Sequence, residues 1–124
     1  MLVPLLPVST LFSALPVALI ALVPVSVRFS TLVADAVLIL ILSPDAKVQV
    51  YGYTDSVGDG QQNLELSGKR VQAVVDYLAY SGVPLDRITS FPRGETNPIG
   101  DNNTAAGRLK NQRIELVFTN LFAS

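Results

Sequence analysis

The sequence predicts an α+β fold in which helices cover one face of a small sheet. Short segments that alternate apolar and polar residues, typical of half-buried strands, occur at 47–53 and 113–119. A long segment with an apolar residue every three or four positions, typical of an amphipathic helix, lies between them at 63–80. Taken together, the segments follow the order strand, helix, strand, short helix, strand.

The first and last predicted strands have the clearest alternation. In Lys47–Tyr53, Val48, Val50 and Gly52 alternate with larger polar or aromatic residues, and the turn-forming sequence TDSVGDG follows directly. In Arg113–Thr119, one apolar set alternates with a second set: Ile114, Leu116 and Phe118 against Glu115, Val117 and Thr119. Both segments are therefore predicted to present one face to a core.

The helix predicted at 63–80 has one apolar face and one charged face. The apolar face consists of Leu64, Ser67, Val71, Val74, Val75 and Leu78. Gly82 and Pro84 predict where the helix ends. A strand is predicted at 88–93, where Pro92 favours a sheet edge, then a loop at 94–103 and a short helix at 104–110 that begins near Thr104.

Composition excludes several classes of function. The 124 residues allow one domain plus an extension. Cysteine and histidine are absent, which removes disulfides, thiol catalysis and the usual zinc ligands and general base. The net charge of −1 gives no overall attraction to nucleic acid. We therefore expect no metal, no cofactor and no catalytic residue.

Charge divides the chain into an apolar segment, 1–27, and a predicted domain, 28–124. The first 27 residues carry no ionisable side chain, a length sufficient for a membrane span, although four prolines interrupt them. A membrane anchor or uncleaved signal, a buried part of the domain, and an atypical N-terminus all fit this segment. The apolar run at 37–42 is expected to be core, as a strand or a helix.

Asp55 and Arg70 can form a site for a zwitterionic ligand. Asp55 lies just past a strand, Arg70 lies in the helix that follows, and a strand–loop–helix unit folds back on itself. The carboxylate would take an ammonium group, and the guanidinium would take a carboxylate as a two-point fork. From spacing alone, a turn-capping aspartate and an ordinary surface arginine are the favoured interpretation.

Several linked motifs resemble the OmpA-like family. The stretch Gly52-Tyr-Thr-Asp55 followed by Asn63-Leu-Glu-Leu-Ser-Gly-Lys-Arg70 is similar to the family pattern G-[HY]-T-D, then N-x-x-L-S-x-x-R. The similarity continues through Gly94-Glu95 and the Asn111 to Glu115 segment, over about 45–119. It implies a β/α/β/α/β sandwich with helices on one face of a small mixed sheet.

The resemblance also implies a ligand and a site. The family binds the diaminopimelate residue of the peptidoglycan stem peptide, so Asp55 is expected to hold its amine and Arg70 its carboxylate. Thr54, Asn63 and Arg113 match motif positions expected near the pocket. Further loop positions match the family, with turn formation, capping or loop bracing as the alternative: Asn102, Asn103, Thr104 and Arg108.

This sequence departs from the family pattern at several places, one of which is Pro92-Arg93, where a glycine–aromatic pair is commoner. Tyr53 stands where histidine is more usual. Gln112 stands where arginine is frequent, so one positive charge near the site is lost. Only Arg28-Phe29-Ser30 hints at the family's first strand, and the first helix is expected to be shortened.

The leading hypothesis is non-covalent peptidoglycan binding in the periplasm of a Gram-negative-type envelope, with outer-membrane association and possible membrane contact through 1–27. A stator-like component of a membrane complex is an alternative, although 1–27 contain no acidic residue for ion coupling. A wall hydrolase that uses Asp55 with Glu65 or Asp59 is another. The oligomeric state has no signal in the sequence.

Overall fold

A computed structural model describes residues 18–24 and 29–121 of the chain. In chain order the elements are β1 (Ala18–Pro24), α1 (Phe29–Leu42), β2 (Lys47–Tyr53), α2 (Gly60–Tyr80), a 3₁₀ turn (Leu85–Arg87), β3 (Ile88–Gly94), α3 (Ala105–Asn111) and β4 (Arg113–Thr119). The strands form a four-stranded sheet in the order β1-β4-β2-β3. The predicted α+β class is confirmed.

The sheet is mixed. β4 pairs antiparallel with both β1 and β2, whereas β2 and β3 are parallel. A parallel pair needs a crossover connection, and α2 provides it. β3 is an edge strand, as Pro92 predicts, because a proline cannot donate to a neighbouring strand.

The core lies between α1, α2 and one face of the sheet. Because of the antiparallel register, Val48 pairs with Phe118, Val50 with Leu116 and Gly52 with Ile114. The apolar side chains of these pairs are at most 1% exposed. Val74 and Leu78 of α2 are fully buried in the same cluster. The alternation predicted for both strands is therefore confirmed.

Helix α2 begins three residues earlier than predicted. The Asp59 carboxylate accepts from the backbone N–H of Gln62 at 3.0 Å and so caps the helix. The predicted apolar face is correct except at its first position, since Leu64 is 39% exposed and the polar Asn63 is buried instead. The helix ends at Ser81 and Gly82, and Gly82 has a φ of 106°.

The first strand is not where the sequence predicts it, whereas the expected shortening of the first helix stays a prediction. Phe29 and Ser30 begin helix α1 rather than a strand, and α1 has 14 residues, so it includes the whole apolar run. In that run Leu40 is fully buried, but Ile41 and Leu42 are more than half exposed. Only part of the run is therefore core.

Strand β1 lies inside the charge-free segment 1–27, so seven residues of that segment belong to the same sheet as β2 and β4. The anchor and signal hypotheses otherwise concern positions 1–17 and 25–27, which lie outside the described residues. Within the described part of the chain, no helix has the length and apolarity needed to cross a membrane.

Candidate ligand-binding site

Asp55 lies two residues beyond the end of β2, and neutral donors hold its carboxylate. Its Oδ1 accepts from the backbone N–H of Val57 at 3.0 Å, and its Oδ2 accepts from the Gln112 side-chain amide at 2.6 Å. The ion pair found within 4.0 Å among the described residues joins Arg113 to Glu115, so no cation neutralises Asp55 there. Within the described residues, the carboxylate is therefore oriented by neutral donors alone.

Arg70 lies in α2 and is half-buried. One of its terminal nitrogens, Nη1, is buried and has no hydrogen-bond partner among the residues that the structure describes. A buried donor without an acceptor costs free energy, and a charged one costs more. An acceptor supplied by a ligand would remove this cost.

Gly52 brings the turn of α2 that carries Arg70 close to the strand that ends before Asp55. A Cβ at Gly52 would lie 2.5 Å from Cγ2 of Val71 and 2.8 Å from the carbonyl oxygen of Ser67. Only glycine permits so close an approach of helix and strand. The proximity of the Asp55 and Arg70 segments, expected from the strand–loop–helix spacing, follows from this packing.

Asn63 holds the loop that carries Asp55 against the start of α2. Its side-chain amide donates to the carbonyl oxygen of Val57 at 2.9 Å and to the Glu95 carboxylate at 3.2 Å, and it lies 3.4 Å from the carbonyl oxygen of Asp55. Asn63 is only 8% exposed. Its contacts position the loop, and they engage its amide within the protein.

Thr54 and Gly94 join the ends of β2 and β3. The Thr54 N–H donates to the Gly94 carbonyl at 2.7 Å, and the Thr54 hydroxyl donates to the Asp55 carbonyl at 2.7 Å. The Gly94 N–H in turn donates to the Ser67 hydroxyl of α2 at 2.9 Å. Thr54 is 3% exposed, so its contribution is to fix the backbone from which Asp55 projects.

Arg113 is an internal brace. Its guanidinium donates to the Glu115 carboxylate at 2.8 Å and to the carbonyl oxygens of Asn97 and Asn111, and it stacks 3.9 Å from the Tyr53 ring centroid. It is 2% exposed, and its register places it on the sheet face away from α2. These contacts engage the Arg113 guanidinium within the protein, and its expected contact with a ligand stays a prediction.

The further loop positions predicted near the site also make internal bonds. Asn102 Oδ1 accepts from the Ser56 N–H at 3.2 Å, and Arg108 donates to the Asn102 carbonyl at 3.0 Å. The Asn103 N–H donates to the Asp101 carboxylate, and Thr104 caps α3 by accepting from the Gly107 N–H at 2.9 Å. The capping and bracing alternative accounts for these contacts.

Sequence reasoning missed the contacts of Gln112 and Glu95. In the sequence, Gln112 stands out only because it lacks the positive charge of a frequent arginine. In the structure, its amide bonds to Asp55, which is 57 positions earlier. Glu95 accepts from Asn63 across 32 positions. No local pattern predicts pairs so far apart in the chain.

The two carboxylates that a hydrolase could pair with Asp55 are Asp59 and Glu65. Asp59 caps α2, and Glu65 is exposed on the surface of that helix. Within residues 18–24 and 29–121, no three acidic side chains form a group that could hold a metal ion.

A mixed sheet covered by helices on one face, with helix α2 packed closely on strand β2 at Gly52, defines a small α+β domain. The chain belongs to the OmpA family, whose model matches residues 30–112. The family resemblance of the motifs is thereby confirmed.

Relatives and solved structures agree with this assignment. The peptidoglycan-binding protein ArfA of Mycobacterium tuberculosis is 46% identical over 74 residues, which are 60% of this chain and 23% of ArfA. The peptidoglycan-associated lipoprotein of Burkholderia pseudomallei has a TM-score of 0.70 at 26% identity, covering 75% of this chain and 79% of that one. The C-terminal domain of Helicobacter pylori MotB has a TM-score of 0.68 at 26% identity, covering 75% and 73%.

Proposed function

We propose that this chain binds peptidoglycan non-covalently through the diaminopimelate of the stem peptide, and that it thereby tethers the cell envelope to the wall. The observation that carries the proposal is the buried Nη1 of Arg70, which has no acceptor among the described residues. Asp55 complements it, because the donors that hold its carboxylate in the described part of the chain are neutral. One group needs an anion and the other can take a cation.

A diaminopimelate side chain ends in both an ammonium and a carboxylate, which matches this pair of groups. Asp55 would take the ammonium, since an ionised carboxylate still has lone pairs free after two hydrogen bonds. Arg70 would take the carboxylate as a fork. Loss of one charged partner from a desolvated pair costs about 2–5 kcal/mol of binding free energy.

The names of the relatives support peptidoglycan as the binding partner. ArfA is described as peptidoglycan-binding and the Burkholderia protein as peptidoglycan-associated. Because peptidoglycan of a Gram-negative-type envelope lies in the periplasm, we place the domain there, with outer-membrane association. The chain spans about a quarter of ArfA, so the remainder of that protein contributes nothing to this assignment.

Retention on purified, insoluble peptidoglycan tests the proposal. Asp55→Ala and Arg70→Ala should each abolish retention of the full chain. Two exposed residues of α2 provide matched controls, since Asp76→Ala and Lys69→Ala remove the same charges outside the site and should leave retention unchanged. Equal retention of all four variants, with folding verified by circular dichroism, would refute the site assignment. Release of soluble wall fragments would instead support a hydrolase.

A stator-like role is the second candidate, favoured by the similarity to the MotB domain. It predicts that detergent extracts the chain in a complex with a second membrane protein. Wall tethering alone predicts that the chain becomes extractable only after the wall is digested. Size analysis of the two extracts separates the candidates.

A further inference from the structure

We infer that Gln112 strengthens the preference of the site for a ligand with a free ammonium group, because its neutral amide fixes the Asp55 carboxylate without neutralising it. This inference rests on the proposed function and deepens it. The amide nitrogen of Gln112 lies 2.6 Å from Oδ2 of Asp55, a shorter hydrogen bond than the one of 3.0 Å from the Val57 N–H to Oδ1.

Gln112 is itself held in place by the residues beside it. Its backbone N–H donates to the Arg108 carbonyl at 3.2 Å at the end of α3. Asn111, which precedes it, is fully buried and bonds to the Ile99 and Gly100 backbone. These bonds fix the backbone from which the Gln112 amide reaches Asp55.

A second contact from the same segment holds the other side of the Asp55 loop. Asn102 Oδ1 accepts from the Ser56 N–H at 3.2 Å, and it also accepts from the Asn111 amide at 2.9 Å. The residues on either side of α3 therefore contact the loop, Gln112 at Asp55 and Asn102 at Ser56. This arrangement fixes the direction of the carboxylate before a ligand arrives.

Charge distinguishes glutamine from a cationic residue at this position. A glutamine amide satisfies one carboxylate lone pair and leaves the negative charge available to a ligand ammonium. An arginine there would form a charge-assisted pair with Asp55 and would compete with the ammonium. Gln112 is therefore a positioning residue that also determines specificity, and no sequence motif assigns it this role.

The experiment compares two ligands on four forms of the full chain. The ligands are a soluble muropeptide that contains diaminopimelate and the same muropeptide with its free amine acetylated. The chains are the wild type, Gln112→Arg, Gln112→Met and Gln72→Ala. Gln72 is a matched control, because its amide donates to the Asp76 carboxylate at 2.8 Å on the exposed surface of α2. Thermal unfolding verifies that each variant folds.

The measured quantity is the factor by which acetylation weakens binding. In Gln112→Arg this factor should fall at least about fivefold, the size expected for one added part-exposed ion pair. In Gln112→Met it should stay near the wild-type value while overall affinity falls, because the donor is lost without added charge. Gln72→Ala should match the wild type for both ligands.

Two failures can be told apart. If the wild type does not bind the muropeptide, or binds it without Asp55, the proposed function and this inference both fail. If the wild type binds through Asp55 but acetylation has the same effect in Gln112→Arg, only the inference fails. Equal effects of the arginine and methionine substitutions would also overturn it, since the charge would then be irrelevant.

Discussion

Gly52→Ala should destabilise the domain, because the added methyl group has no room between strand β2 and helix α2. The new Cβ would lie 2.5 Å from Val71 Cγ2 and 2.8 Å from the Ser67 carbonyl oxygen, whereas ordinary contact begins at 3.4 Å. To reach 3.4 Å, the Ser67 carbonyl oxygen and the helix that carries it would have to move about 0.6 Å away from the new Cβ, the difference between 3.4 and 2.8 Å. Val71 is 2% exposed and β-branched, so it cannot turn aside.

Overpacking of this kind costs about 1–3 kcal/mol of unfolding free energy. For a domain of this size, each kcal/mol lowers the melting temperature by about 4–8 °C. Urea unfolding and a thermal melt measure both quantities. Muropeptide affinity should fall as well, because the shift moves the turn of α2 that carries Arg70 away from Asp55.

Gly68→Ala is the matched control in the same helix. Its Cβ would meet only the Cβ of Pro92, at an ordinary 3.7 Å. Replacing a helical glycine by alanine stabilises by about 0.5–1 kcal/mol when no clash results. The two substitutions should therefore have opposite signs. A Gly52→Ala variant as stable as the wild type, or equal losses in both variants, would refute the packing argument.

Two further substitutions test how the site and the first helix are held. Asn63→Ala should lower the unfolding free energy by about 1–3 kcal/mol and weaken muropeptide binding, because the Val57 carbonyl loses its donor. Urea unfolding and ligand titration measure the two quantities. Asn63→Asp should restore neither of them, because an ionised carboxylate has no hydrogen to donate. Arg87→Ala should cost about 2–3 kcal/mol, because its guanidinium donates to three carbonyls at the end of α1 and just beyond. Arg93→Ala, which removes an exposed arginine stacked on two aromatic rings, should cost less than about 1 kcal/mol by the same assay.

The sequence predicts β2, α2 and β4 well because each element has one buried and one solvated face. In such elements the spacing of apolar residues reports the geometry directly. The start of α2 is less well predicted, because Asn63 is buried by hydrogen bonds rather than by apolar contact. Periodicity therefore selects the exposed Leu64 instead.

The first strand and helix are poorly predicted because the first 27 residues, and most of α1, contain little except apolar residues. Without polar positions, neither the two-residue nor the 3.6-residue period is visible. The partner of β1 is β4, at the other end of the chain, so the strand depends on a contact that no local pattern contains.

The candidate site is only partly predictable for the same reason. Asp55 and Arg70 belong to linked motifs of one strand–loop–helix unit, which sequence spacing can join. Gln112 reaches that unit from the far end of the chain, and its bond depends on the packing of α3 and β4. Arg113 also reaches across the fold, since it stacks on Tyr53 of β2 and pairs with Glu115 of β4.

Titration with two muropeptides most directly tests whether Arg70 binds the ligand carboxylate. One contains diaminopimelate, and the other contains lysine, which has the side-chain amine but lacks the second carboxylate. The wild type should bind the first at least about 30-fold more tightly, and Arg70→Ala should bind the two about equally. An Arg70→Ala variant that folds and still discriminates as the wild type does would contradict the account.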